Sequence, residues 1–121
     1  MIEFVTHEKN NLIIAEIISD GVVITETQEA LDIMADLSYN GINGIILHEK
    51  HLTPKFFDLS SRLAGDILQK FSNYRFRLAI VGDFSKFKSR SLHDFIRESN
   101  KGNIVFFLTT LNEAMNKLTG K

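Results

Sequence analysis

Three short apolar runs, GIILH (44–48), RLAIV (77–81) and NIVFFL (103–108), alternate with longer stretches whose apolar residues recur at helical spacing. Unbroken runs of this length suit strands buried on both faces. A helix between two such strands makes them parallel neighbours, which restricts the chain to an α/β architecture. Two further strands open the chain, Ile2–Thr6 and Leu12–Ser19, around a polar turn at Glu8-Lys9-Asn10-Asn11. Ala30, Ile33, Met34 and Leu37 share one face of a first helix, with Thr25 and Gln28 at capping-box spacing and Gly41 as a stop. Thr53 and Pro54 open a second helix, on which Phe56, Leu59, Leu63, Ile67 and Phe71 fall at helical spacing. Leu92, Phe95 and Ile96 mark a third helix, which ends at Asn100-Lys101 with Gly102 left-handed. Thr110 with Glu113 caps a fourth. The predicted order is ββαβαβαβα. It implies a mixed, mostly parallel sheet with flanking helices, in which strands 12–18, 44–48, 77–81 and 103–108 run parallel. No linker or repeat divides the chain, so residues 1–121 are expected to form a single α/β domain.

A chain of 121 residues buries roughly two-thirds of its unfolded surface, enough for a core without staples. Ten Phe against two Tyr and no Trp means that most rings have no polar handle and should fill that core. The absence of cysteine removes disulfides, thiolate metal sites and cysteine nucleophiles, and fits an expected cytoplasmic location. No leader opens the chain and no apolar run approaches the roughly 18 residues of a membrane span, so no membrane association is expected. Net charge is −1 but unevenly spread: residues 1–60 hold 10 acidic and 3 basic residues, residues 61–121 hold 5 and 11. Solvated helix faces explain this more simply than a functional patch.

The segments GIILHEKHLTPKFFDLSSRLAGDIL (44–68), then RFRLAIVG and FFLTTLNEAMNKL, resemble in series the landmarks of STAS domains, the fold of anti-sigma-factor antagonists. In that family a buried strand leads into an Asp-Ser-Ser-Gly-Leu segment that opens a helix and carries a phosphorylated serine. Here the segment reads Asp58-Leu59-Ser60-Ser61-Arg62-Leu63, with one residue inserted and Arg62 in place of glycine. The resemblance implies an interaction or regulatory module with Ser60 or Ser61 as phosphoacceptor. Over its whole length the chain is similar to a bacterial family filed as domain of unknown function 4180. His48-Glu49-Lys50, Phe56-Phe57-Asp58-Leu59, Leu68-Gln69-Lys70-Phe71, AIVGDFS (79–85) and ESNKG (98–102) carry that likeness. It implies no settled activity.

Ligands of parallel α/β sheets usually bind beyond the carboxyl ends of the strands. That edge should hold His48, Glu49, Asp83 and Ser85, with Asp58 nearby, and these are the candidate ligand-binding residues. HEKH (48–51) differs from the zinc-protease motif, whose histidines stand four apart on a helix. A His-Glu pair can also act as a base and its orienter. In GDFSKFKSRS (82–91), Gly82 allows a sharp turn and Ser85 or Ser89 can cap the next helix. Lys86, Lys88 and Arg90 would suit an anion at free helix amides, which Asp83 opposes. A capped turn with a basic solvated loop is the simpler reading. Phe84 and Phe87 alternate with lysines, a weak signal for nucleic acid, which is not expected as a partner. Phe56 or Phe57, if exposed, would mark a partner surface.

Three functions remain open. A non-enzymatic STAS-like module with a protein partner is favoured, because no nucleophile, metal or cofactor set is complete. A domain binding a small ligand or anion comes second, and an enzyme using His48, Glu49, Asp58 and Asp83 third. No cofactor or metal is expected. Oligomeric state does not follow from the residues.

Overall fold

The computed structural model describes residues 2–120. β1 (Glu3–Lys9), β2 (Leu12–Ile18), β3 (Gly44–His48), β4 (Arg77–Val81) and β5 (Val105–Leu108) form one sheet in the order β1-β2-β3-β4-β5. β1 runs antiparallel to β2, and β2 to β5 are mutually parallel, as the order of elements predicts. The helices are α1 (Thr27–Tyr39), α2 (Leu63–Tyr74), α3 (Arg90–Asn100) and α4 (Leu111–Thr119).

Strand order fixes the layers. Each right-handed crossover advances by one strand, so α1, α2 and α3 all fall on the same face. α4 follows the last strand, needs no return strand and packs on the opposite face. Alternate strand residues divide accordingly. Ala15, Ile17, Ile45, Leu47, Leu78, Ile80 and Phe107 join the larger core, whereas Ile14, Ile46, Ala79, Val81 and Phe106 meet Ala114 and Leu118 of α4.

Local chemistry departs from the sequence expectation at four places. β1 continues to Lys9, and the turn is only Asn10-Asn11, with φ of 55° and 65°. Two left-handed residues are what a two-residue hairpin of matching twist demands, and asparagine tolerates them. At α1 the capping group is Glu29, not Gln28: its Oε1 accepts from the N–H of Thr25 and Glu26 and from the Thr25 hydroxyl. The second helix begins at Leu63, not Thr53. Residues 54–57 and 59–61 form separate 3₁₀ turns, and Arg62 is left-handed at φ 67°. Phe56 and Leu59 still point inward because a 3₁₀ turn repeats every three residues, close enough to 3.6 to mimic one helix. Gly102 is not left-handed; its N–H bonds Ser99 O, and Gly41 alone among the described glycines has positive φ. The Thr110–Glu113 capping box forms as expected.

The outer edge of β5 is closed by side chains. Asn100 accepts from Phe107 N–H at 2.7 Å and donates to Phe107 O at 3.0 Å, and Ser99 donates to Val105 O at 2.7 Å. Asn100→Ala leaves both Phe107 groups without this partner. We expect it to lower unfolding stability by about 1–2 kcal/mol, measured by urea denaturation. An unchanged midpoint would show that solvent replaces the amide at no cost.

Candidate functional site

His48 closes β3 with Glu49 behind it, Asp83 and Ser85 follow β4, and Asp58 lies in the connection from β3 to α2, but among the described residues no shared hydrogen bond or ion pair joins these five into one group. Asp58 and Asp83 have the same local role. Each precedes a 3₁₀ turn and accepts from the N–H and hydroxyl of the serine two residues on: Ser60 at 3.1 and 2.7 Å, Ser85 at 3.1 and 2.6 Å. The Ser85 hydroxyl and amide hold the Asp83 carboxyl below the ordinary carboxylate range. Glu49 pairs with Lys86, joining the ends of β3 and β4. It also explains Gly82, where a Cβ would lie 2.8 Å from Glu49 Cβ. Among the described residues no hydrogen bond joins His48 to Asp58 or Asp83. Strand order never reverses, so the sheet has no switch point at which a crevice opens.

The basic loop after β4 is therefore a built connection. Phe84 is buried, and Phe87 stacks on Phe57 with centroids 4.8 Å apart, so neither ring is presented for base stacking. Phe56 and Phe57 are buried too, so neither marks a partner surface. Ser89 caps α3 through Leu92 N–H. Ser60 and Ser61 are both exposed, but the Ser61 hydroxyl is engaged by Lys55 O at 2.6 Å and Asp58 O at 2.8 Å.

His48 instead turns to the α4 face and meets Glu16, which also holds His7; strand pattern alone singles out neither. Its Nε2 lies 2.7 Å from Glu16 Oε2, and His7 Nε2 lies 2.9 Å from Glu16 Oε1. β1 and β2 place His7 diagonally from Glu16, and β3 lies on the other side of β2, so both imidazoles reach one carboxylate. The Glu16 side chain is 13 % exposed and the histidines about a third. Burial alone would raise the Glu16 pKa. The hydrogen bonds and charge of His48 and His7 outweigh it and hold the carboxyl below its ordinary value of 4.5. An ionised carboxylate only accepts, so each Nε2 carries the proton it donates. The two rings use different oxygens. Among the described residues no group of three His, Cys, Asp or Glu is placed to hold a metal ion. The available signal in the sequence was the charge inside LIIAEII, a costly place for glutamate without partners.

Around this trio the sheet is bare. α4 covers Ile14, Ile46, Ala79, Val81 and Phe106 but leaves Val5 and Ile18 each 46 % exposed on the same face. A cleft of about 530 Å³ lies elsewhere, between α1 and α2, lined by Leu31, Met34, Tyr39, Tyr74 and Phe76 among others, and contains none of the expected site residues.

His51 anchors the site from behind. Its buried ring accepts His48 N–H at Nδ1 (3.0 Å) and donates from Nε2 to Ser19 O (3.1 Å), while its own carbonyl takes Val23 and Ile24 N–H. This arrangement needs the neutral ring. Burial first, then the charges of His48 and Lys50, push its pKa below 6.5, against the Ser19 bond and Glu16. The unfolded chain then binds the proton first as pH falls. Stability contributed by neutral His51 is full above about 6.5 and declines as pH drops from there through the folded pKa. Urea midpoints of wild type should fall from pH 7.5 to 5.5 more steeply than those of His51→Leu. Equal slopes would remove His51 from the pH response.

The fold and the bare sheet surface define a mixed α/β domain with one face half open. The family model described as Domain of unknown function (DUF4180) matches residues 9–118, and the chain belongs to that family. No curated protein and no solved structure matches it. No described helix is long and apolar enough to cross a membrane.

Proposed function

We propose that the domain is a non-enzymatic, STAS-like interaction module whose partner surface is the half of the sheet that α4 leaves uncovered. The observation that carries this reading is the exposure of Val5 and Ile18 beside the Glu16 trio. Apolar side chains next to oriented polar groups provide both the burial and the directional bonds of a protein interface. Glu49, Asp58 and Asp83 already hold an ion pair or a turn, which favours binding over chemistry at the carboxyl edge. Regulation by phosphate would suit Ser60 better than Ser61, whose hydroxyl is held by two carbonyls.

The test is affinity capture from the protein's own cells with wild type, Ile18→Asp, Ser60→Asp and Tyr74→Asp baits. Both Ile18 and Tyr74 are exposed, so all baits should stay folded. Proteins captured by wild type should be lost with Ile18→Asp and kept with Tyr74→Asp. Loss with Tyr74→Asp alone would move the surface to the α1–α2 cleft and overturn the reading. Unchanged capture by Ser60→Asp would remove the phosphate switch.

A further inference from the structure

The two edges of the sheet are treated differently. At β5, Asn100 and Ser99 satisfy outward main-chain groups. At β1, seven residues pair regularly with β2 without a bulge, and among the described residues no side chain bonds the β1 main chain. The single proline of the chain is Pro54, far from this edge. Natural sheets protect a long regular edge with a bulge, proline, cover or charged side chains, because it is a template for another strand. Of these β1 has only the charges of Glu3, Glu8 and Lys9, whose signs allow pairing with a second copy.

We propose that β1 is a homodimer edge, joining a second copy antiparallel about a two-fold axis at Thr6. The sequence EFVTHEK is electrostatically self-complementary in this register. Glu3 of each copy faces Lys9 of the other, Phe4 faces Glu8, Val5 faces His7, and Thr6 faces Thr6. All seven residues pair, and opposite charges close both ends. Opposite charges directly across an antiparallel pair stabilise it and like charges destabilise it. Lys9 bonds Asn116 within its own chain, and an ammonium has two further donors for Glu3. Phe4 and Val5, both exposed, lose water on opposite faces of the joined sheet. The product is a continuous ten-stranded sheet in which the two open faces lie side by side. This inference does not depend on the partner surface proposed above, since capture by that surface can fail while the dimer persists.

Sedimentation velocity across the micromolar to millimolar range tests it on wild type, Glu3→Lys, Lys9→Glu and the double variant, with circular dichroism to confirm folding. Glu3 and Lys9 are exposed. Each single reversal sets like charges at both ends and should weaken the dimer roughly tenfold. The double variant restores opposite charges and should restore the dimer. Because the chain has no cysteine, Thr6→Cys should give a disulfide-linked dimer on mild oxidation where Lys70→Cys, on α2, does not. A monomeric wild type at every concentration overturns the proposal. So does a dimer that the single reversals leave unmoved, or that the double variant fails to restore.

Discussion

Phe57→Ala is expected to cost about 3–5 kcal/mol, the range for deleting a buried phenylalanine and leaving a cavity. The ring holds together parts of the chain that share no main-chain ladder. It stacks on Phe87 at 4.8 Å, meets Phe84 at 6.0 Å, and sits edge-on to Phe56 at 5.0 Å. Phe84 and Phe56 in turn contact Phe107 of β5. Removing Phe57 therefore takes away the support of the whole connection from Gly82 to Ser89. Two readouts check this. The urea midpoint should fall sharply, and amide hydrogens at 84–87 should exchange faster than those of β3 and β4. If stability fell by less than about 1 kcal/mol, well below the usual cost of such a cavity, the connection would be held by Asp83 and the Glu49–Lys86 pair instead.

Glu16→Ala should cost about 2 kcal/mol, and Glu16→Gln less. A hydrogen bond to a charged group contributes roughly 1.5–3 kcal/mol, and the partial exposure of both histidines reduces this by solvent screening. Alanine removes both acceptors. Glutamine keeps one oxygen but turns an amide donor toward the second imidazole, so one histidine loses its partner. The difference should also depend on pH. Because the folded Glu16 pKa is depressed, its contribution is present above about 4.5 and disappears as pH falls through the folded value. Wild type and Glu16→Gln should therefore converge in stability in acid. Chemical denaturation of the three proteins at neutral and acidic pH checks the order. Equal stability of wild type and Glu16→Ala at neutral pH would mean that the trio is a surface coincidence.

How much of this was legible in the chain differs by element. GIILH and RLAIV declare themselves because both faces of those strands are buried, so no alternation obscures them. α4 is legible because Thr110 and Glu113 carry their own local capping chemistry. The start of α2 is not, since Phe56, Leu59 and Leu63 satisfy a helical pattern that two 3₁₀ turns and a left-handed Arg62 also satisfy. The site is half legible. His48 stands out at the end of a buried run, and its adjacency to Glu49 suggested a pair. Its true partner is 32 residues away in sequence, and the contact depends on β2 being the neighbour of β3. His7 enters only through the β1–β2 register. A topology with another strand order would have left the same residues apart, and nothing local distinguishes the two cases.

We propose the bare half of the sheet around Glu16 as the working surface. Photo-crosslinking in the protein's own cells tests it most directly, with a crosslinking amino acid at Ile18 and, as control, at Lys70 on the exposed side of α2. Discrete adducts with another polypeptide are expected from position 18, none from position 70, and those adducts should be lost when Glu16→Ala is combined with the position-18 probe in protein that remains folded. Equal labelling from both positions, or adducts from position 70 alone, would contradict it.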